Sequence, residues 1–358
     1  ALDGVARETI EAVGGRTCIA VDVPSGVHGD TGEILGVAPQ ADVTVTFFRR
    51  KPGHVLLPGR MRCGETRLVD IGIPSAVLET IGPRIAANDT SLWRGGMPWP
   101  RLDKHKYSRG HALISGGAQM TGAARLAARA ALRSGAGMVS VVAPVDNAVV
   151  YKVALESVIV RGIRDTAGYA EIMEDPRVTA CLIGPGNGVL PGTREQALAA
   201  LRNRKSVVLD ADALTVFEET PDLLFSSIES PCLMTPHDGE FRRLFEVKDD
   251  KISSARAAAE TSSSVILLKG ADTVIAAPDG RVVVNENAPA TLATAGAGDV
   301  LAGIAVGLLA QGMDVFDAAC AAAWLHGEAA RSVGLGLISE DLPDRLPAVL
   351  QALQAQGK

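Results

Sequence analysis

The sequence predicts an α/β fold: a mostly parallel sheet with helices on both faces. Two observations carry this. From His111 onward, short Val/Ile/Leu-rich runs alternate with helical stretches, the pattern of a parallel sheet joined by helical crossovers. Glycine-rich turns close those runs, and aromatic residues are only 4% of the chain, which favours α/β layers over an all-β sandwich. The chain has 358 residues, of which 47% are hydrophobic, enough for two domains or one large domain with a fragment, each with a real core.

The elements follow in order. Residues 17–23, 42–48 and 65–71 read as strands, the first ending in the turn Pro24-Ser25-Gly26 and the third closed by Gly72-Ile73-Pro74. Residues 1–75 thus carry strands but few helices, short for an independent α/β domain, and begin as if in mid-fold. Residues 76–103 read as a connection, its part from 83 rich in Pro, Gly and Trp, and residues 104–358 as the main domain. There, His111–Ser115 is a strand turned by Gly116-Gly117, and Thr121–Ser134 is a helix. Strands follow at Met138–Ala143, Ala180–Ile183, Ser206–Leu209, Cys232–Thr235 and Ser264–Leu268. Thr273–Ala277 pairs with Val282–Asn285. Helices near 299–310, 315–333 and 344–355 close the chain.

Bulk properties exclude several classes. Net charge is −6, and no basic tract or basic–aromatic interleaving appears, so nucleic acid is not an expected partner. Cys18, Cys63, Cys181, Cys232 and Cys320 are scattered without a CxxC pair and read as small apolar residues in a reducing compartment. With no charged-then-apolar leader and no apolar span long enough for a bilayer, the expectation is a cytoplasmic protein without a membrane partner.

In a parallel sheet the ligand crevice lies beyond the carboxyl ends of the strands. The unusual residues fall there: Gly116-Gly117, Gly184-Pro185-Gly186-Asn187-Gly188, Asp210 and Asp212, His237, Lys269-Gly270 and the run Thr294-Ala295-Gly296-Ala297-Gly298-Asp299. The last reads as a tight glycine loop opening a helix, whose free N–H groups make an anion site. Asp299 sits at its mouth, badly placed to hold phosphate but well placed to move a proton; the plainer reading is a helix cap. Lys269 can reach a phosphate and Thr273 can bond one, against an edge lysine and a turn. Gly184–Gly188 admits a ligand close to backbone or simply turns strand into helix. His237 bonds a substrate or is a polar loop residue. Glu240 suits the first turn of the next helix. Asp210 and Asp212 hold a magnesium ion through water, or Asp212 caps a helix. No GxxxxGK[ST], no complete GxGxxG after a strand, no HExxH and no GxSxG occurs; His326-Gly327-Glu328 lies on a helix but lacks the second histidine. A glycine loop, a helix start and an aspartate remain, the layout of ribokinase-type folds.

The motifs Lys106-Tyr107-Ser108-Arg109-Gly110-His111 through Gly117, Gly184–Gly188, Leu209-Asp210-Ala211-Asp212-Ala213-Leu214, Thr235-Pro236-His237-Asp238-Gly239-Glu240, Lys269–Thr273 and Ala295–Gly303 appear in order. Over about residues 85–340 the chain resembles the ADP-dependent NAD(P)H-hydrate dehydratase family, a ribokinase-like fold. Residues 1–75 resemble the carboxyl-terminal part of the Rossmann-like α/β NAD(P)H-hydrate epimerase domain often fused in front. The matching residues are Val21–Gly26, Asp30-Thr31-Gly32-Glu33, Ala41–Phe47, Lys51-Pro52-Gly53 and Asp70–Pro74.

The resemblance implies a repair reaction: removal of water from hydrated NADH or NADPH (NADHX or NADPHX), with ADP or ATP consumed as co-substrate and Mg2+ as cofactor. It implies Asp299 as the catalytic base and as a substrate contact. It assigns Gly296, Ala297 and Gly298 to the anion hole, and Lys269, Gly270, Ala271, Asp272, Thr273 and Gly298 to the nucleotide. Ala123, Gly188 and His237 contact the hydrated cofactor. In the epimerase-like part it implies Asp22 as the substrate residue and Ser25 as a potassium (K+) ligand. It also implies a homo-oligomer, tetramer or octamer. Ala297 stands where the family often has Thr, Asn187 where Leu is usual and Asp238 where Pro is usual. The Asn- and Gly-rich amino-terminal epimerase motif is missing, so the incomplete domain is expected not to epimerise unless that half is supplied. The alternatives are a small-molecule kinase of the same fold, such as a vitamin-precursor kinase, and a non-catalytic nucleotide-binding or assembly protein.

Overall fold

The computed structural model describes residues 2–103 and 105–356. Residues 1, 104 and 358, which bound the ranges read from sequence, lie outside these. The chain divides into two compact units: residues 1–87 with Asp249–Ile252, and residues 88–248 with 253–358.

The first unit holds β1 (Ile19–Val21), β2 (Val43–Phe47), β3 (Glu65–Val69) and β4 (Ile85–Ala87), with α1 (Gly4–Ala12), α2 (Gly59–Arg62) and α3 (Val77–Ile81). β1, β2 and β3 form a parallel sheet in that order, with Ile19 opposite Val43 and Val43 opposite Glu65. On β2, Thr44 and Thr46 point inward and are fully buried, so their hydroxyls need partners. Thr44 donates to the Cys63 carbonyl at 2.6 Å and Thr46 to the Asp22 carboxylate at 2.8 Å.

The second unit runs β5 (His111–Ser115), α4 (Thr121–Arg133), β6 (Met138–Pro144), α5 (Ala148–Ala154), β7 (Ile159–Ile163), α6 (Thr166–Met173), β8 (Ala180–Ile183), α7 (Pro191–Arg202), β9 (Ser206–Leu209), α8 (Asp212–Thr215), α9 (Pro221–Ser226), β10 (Cys232–Met234), α10 (Asp238–Leu244), α11 (Lys251–Ser262), β11 (Val265–Leu268), β12 (Thr273–Ala276), β13 (Val282–Asn285), α12 (Ala297–Ala310), α13 (Val315–Val333) and α14 (Asp341–Ala355). Its sheet order is β13-β12-β11-β10-β9-β8-β5-β6-β7. Every pair from β7 to β11 is parallel, and β12 and β13 close the far side antiparallel, as the sequence predicts for residues 273–285. The fold is the α/β, mostly parallel architecture read from the sequence.

The helices cover the sheet because its strands are apolar on both faces. β5, β8, β11, β12 and β13 are buried along their whole length. α12 and α7 both pack on β8 and β9. α12 is apolar all round and is the central helix, lying also against α4 and α13. Its approach to α4 is close. A Cβ on Gly303 would stand 2.4 Å from the Ala127 carbonyl oxygen, and one on Gly307 would stand 2.7 Å from that of Ala131. Small residues on both helices are therefore a packing requirement.

The stretch read as a connection is packed in its middle. Trp93 is 1% exposed, its ring centroid lies 5.7 Å from that of Trp324, and its indole N–H donates to Asn88 Oδ1 at 3.0 Å. A buried indole that satisfies its N–H anchors this segment to the second unit.

Candidate active site

Chain order reverses beside β5. The chain leaves β5 for β6 and β7 on one side and returns to β8 on the other. Loops leaving the carboxyl ends of such neighbours part and open a crevice. Here they are Gly116-Gly117 and Gly184–Gly188, and they touch: a Cβ on Gly117 would lie 1.6 Å from the Gly186 carbonyl oxygen. Gly184, Gly186 and Gly188 all have positive φ. Asn187 pins the second loop, accepting from the Gly184 N–H at 2.6 Å and donating to Ser115 Oγ at 3.1 Å. Ala123, buried in the first turn of α4, adjoins Gly186. The Gly188 N–H donates to the Asp212 carboxylate at 2.7 Å.

Asp299 occupies the third position of α12. Its cap is Gly296, at φ 86°, so the plain N-cap reading of Asp299 does not describe its position. The N–H groups of Gly298 and Asp299 fall in the first turn, where a helix offers no acceptor of its own. Burial raises the Asp299 carboxyl to about 6; the neighbouring charges of Asp210 and Asp212 add to the rise and Lys269 opposes it. A Cβ at Gly298 would stand 3.6 Å from Lys269 Nζ, so the lysine reaches the helix start.

Lys269 leaves the end of β11 and donates to Asp210 Oδ1 at 2.7 Å, with Glu240 Oε2 at 3.8 Å. Burial works against its ammonium, but the charges of Asp210 and Glu240 outweigh it and hold its pKa above the ordinary lysine value. Asp210 is buried and also accepts from Thr235 Oγ1 at 2.9 Å. Between Asp210 and Asp212, Ala211 takes φ 47°, ψ −118°, a strained backbone of the kind that collects at working sites. Both carboxylates thus have partners within the protein. Among the described residues no group of three or more His, Cys, Asp or Glu side chains could hold a metal ion. His237 is the N-cap of α10: its Nδ1 accepts from the N–H groups of Gly239 and Glu240 at 2.9 and 3.2 Å. Glu240 returns the bond, accepting from the His237 N–H at 2.8 Å, which joins His237 to the Lys269 ion pair.

Beside this cluster opens a cavity of about 280 Å³. Lys269, Gly270, Ala271, Thr273, Ala297 and Gly298 line it, so six of the residues singled out in the sequence meet there. Asp272 is buried, and it and Gly296 lie just outside the lining. The far wall is apolar, formed by Pro289, Leu292, Ala293, Leu301 and Ala323 among others. That wall, with Asn285 and His326, is what sequence reasoning missed. The signal for His326 was present, since it is a histidine on an alanine-rich, buried stretch of α13, but a test for a zinc motif alone passes over it.

Asp22 and Ser25 belong to the first unit. Asp22 has φ 66° and its carboxylate pairs with the Lys51 ammonium. Burial pushes its pKa up, but hydrogen bonds from Lys51 and Thr46 and the Lys51 charge hold it below the ordinary carboxylate value. His54 Nε2 lies 2.7 Å from the Asp22 carbonyl oxygen, and Ser25 sits in the turn after β1.

A family model described as NAD(P)H-hydrate dehydratase matches residues 111–350, and one described as YjeF-related protein N-terminus matches residues 1–53. The chain is similar to the bifunctional NAD(P)H-hydrate repair enzyme Nnr of Salinibacter ruber, 38% identical over 98% of this chain and 69% of the relative. It is 36% identical to that of Moorella thermoacetica over 95% of this chain and 68% of the relative. Among solved structures, the ADP/ATP-dependent NAD(P)H-hydrate dehydratase of Bacillus subtilis, co-crystallised with ATP/Mg2+, is 29% identical. It covers 75% of this chain and 98% of its own, with a TM-score of 0.66. A ribokinase-like superfamily protein of Enterococcus faecalis, 23% identical, shares the fold with a TM-score of 0.68 over 75% of this chain and 96% of its own.

Proposed function

The chain belongs to the NAD(P)H-hydrate dehydratase family, whose members are lyases, and from that premise we propose that it restores NADH and NADPH from the S forms of their hydrates at the second unit's crevice. The observation that carries the reading is Asp299: a half-buried carboxyl with its pKa raised to about 6, in the first turn of α12, beside Lys269 and a cavity.

The hydrate carries its hydroxyl on the ring carbon next to the ring nitrogen. Hydroxide is a poor leaving group and a phosphate ester is a good one. In this reading Asp299 takes the hydroxyl proton while the hydroxyl oxygen bonds to the terminal phosphorus of ADP. The bond from that phosphorus to the bridging oxygen breaks and releases AMP. The ring nitrogen lone pair then expels phosphate, and loss of a proton from the adjoining ring carbon restores the dihydropyridine. The N–H groups of Gly296–Gly298 and the Lys269 ammonium receive the transferring phosphate. The strand and loop of Lys269–Thr273 line the nucleotide, and Ala123, Gly188 and His237 line the hydrate. ATP fits the same scheme, giving ADP in place of AMP.

Magnesium enters as part of the substrate. Asp210, Glu240 and Asp299 act on one lysine, and Asp212 adds its charge at Asp299, so the site is acidic. A nucleotide polyanion needs its own cation to enter such a site. The solved relative with ATP/Mg2+ supports this. In the same reading residues 104–358 are the dehydratase domain, 76–103 the connection and 1–75 the epimerase-like part, in a homo-oligomer. The convergence of Lys51, Thr46 and His54 on Asp22 supports a second activity once the amino-terminal half of that domain is supplied: epimerisation with Asp22 as the hydrate contact, and a potassium ion at Ser25 belongs to that reading.

The test is recovery of reduced-nicotinamide absorbance from purified S-NADH hydrate with Mg2+ and ADP, ATP or no nucleotide. Recovery that requires a nucleotide is expected. Recovery without one would overturn the mechanism, and a phosphorylated organic product would move the chain to the kinases.

A further inference from the structure

A line of three asparagines runs along the cavity at the start of α12. Asn88 Nδ2 donates to Asn285 Oδ1 and to the Cys320 carbonyl, both at 2.8 Å. Asn285 Nδ2 donates to Asn287 Oδ1 at 2.9 Å. Asn287 Nδ2 donates to the Trp324 carbonyl at 2.9 Å and to Glu328 Oε1 at 3.1 Å. The shape of a side-chain amide does not tell its oxygen from its nitrogen, so the partners must decide. Here both ends decide. The line begins at the Trp93 indole N–H, which can only donate and gives its hydrogen to Asn88 Oδ1 at 3.0 Å. It ends at a carbonyl and a carboxylate, which accept.

Counting hydrogens then singles out one residue. The three amides carry six, and five are spent within the line: two from Asn88, one from Asn285 and two from Asn287. The sixth, the second hydrogen on Asn285 Nδ2, has no acceptor among the described residues. Of the three asparagines, Asn285 alone lines the cavity. It is buried, and it lies on β13 directly across from Thr273 on β12. Thr273 offers Asn285 nothing, because its Oγ1 donates to the Gly270 carbonyl at 2.7 Å and accepts from the Gly270 N–H at 3.1 Å. A buried N–H without an acceptor is costly, and a ligand in the cavity can supply one. Lys269 and the start of α12 suit phosphate. A neutral donor beside the apolar wall of Pro289, Leu292 and Ala293 suits the uncharged part of a nucleotide.

We propose that Asn285 Nδ2 donates a hydrogen bond to a neutral acceptor on the nucleoside part of the bound nucleotide, a ribose oxygen or a ring nitrogen. Asn88, held by Trp93, is the positioning residue that keeps this N–H, and not the amide oxygen, turned to the ligand. The proposal rests on reading this cavity as the nucleotide site.

The experiment is calorimetric binding to the full chain of Mg–ADP and Mg–2′-deoxy-ADP without hydrate, and of S hydrate without nucleotide. Asn285→Leu, close in size, removes the donor and should weaken Mg–ADP by about 3- to 15-fold while hydrate affinity holds. Asn88→Asp keeps the shape and still accepts from Trp93, but has no hydrogen for Asn285 Oδ1. The Asn285 amide then turns, and a similar loss is expected. Because both variants remove one interaction, their losses should not add in the double variant. A loss confined to ADP assigns the 2′ oxygen as acceptor, and an equal loss for both nucleotides assigns another nucleoside atom. Nucleotide affinity unchanged in both folded variants overturns the proposal. So do losses that add, or hydrate affinity that falls in step, since either marks a structural role. If Asn285→Leu fails to fold, Asn88→Asp against wild type decides by the ratio of nucleotide to hydrate affinity. A wild type that binds no nucleotide overturns the reading of the cavity itself.

Discussion

Asp299 sits among Asp210, Asp212 and Lys269, and the balance of those charges sets its working pH. Its carboxyl titrates near 6, above the value of about 3.9 expected in an unfolded chain. Only the ionised form accepts a proton, so the acid limb of kcat/KM against pH should fall near 6. Lys269→Met removes the charge that lowers this pKa, so the limb should move to higher pH while nucleotide binding weakens; a limb that stays or falls would refute the assignment. Asp299→Asn should lower kcat by about 10²- to 10⁴-fold and leave nucleotide binding in place. Stability carries a separate sign. A carboxyl raised by folding contributes stability below its unfolded pKa and loses it as pH rises through the folded one. Asp299→Asn should therefore gain on the wild type as pH rises from 4 to 8, by on the order of 1–2 kcal/mol in urea unfolding. A difference independent of pH would show that burial does not strain this carboxylate.

Among the elements, α12 joins stability to the site. Its glycines let α4 approach, and its amino end presents Gly298 and Asp299. Gly307→Val places side-chain atoms against the Ala131 carbonyl and Ser134 Oγ, and should cost about 1–3 kcal/mol in urea unfolding at unchanged m. An unchanged midpoint would mean the seam is looser than its distances. The seam was legible in the sequence as an alanine- and glycine-rich helix, and strands ending in Gly, Asp, His and Lys marked the crevice. Strand β7 was not legible, because an edge strand carrying Arg161 and Gly162 breaks the apolar run that identifies its neighbours. Helix α1 was hidden for a different reason: it is only nine residues long, about two and a half turns of pattern, and only Ile10 of them is buried. Asp299 could be found because a glycine loop announces a helix start. The pairing of Lys269 with Asp210, 59 residues apart, depends on strand order, and no local pattern encodes that.

Across the whole molecule, two units carry two different carboxylates. Asp22 in the first is held low by Lys51 and Thr46, suited to stay ionised; Asp299 in the second is raised by burial, suited to take and return a proton. The two therefore predict separable chemistry. With S hydrate, Mg2+ and nucleotide, Asp22→Asn should leave the initial rate of NADH recovery unchanged, whereas Asp299→Asn should lower it by about 10²- to 10⁴-fold. With R hydrate and no nucleotide, any conversion to the S form should depend on Asp22 and be untouched in Asp299→Asn. Chiral separation of the hydrates over time measures both. Loss of S-hydrate dehydration in Asp22→Asn would mean that the two units do not work independently. Conversion of R to S that survives Asp22→Asn would remove Asp22 from the epimerase reading and return the Lys51 pair to a structural part in holding the turn after β1.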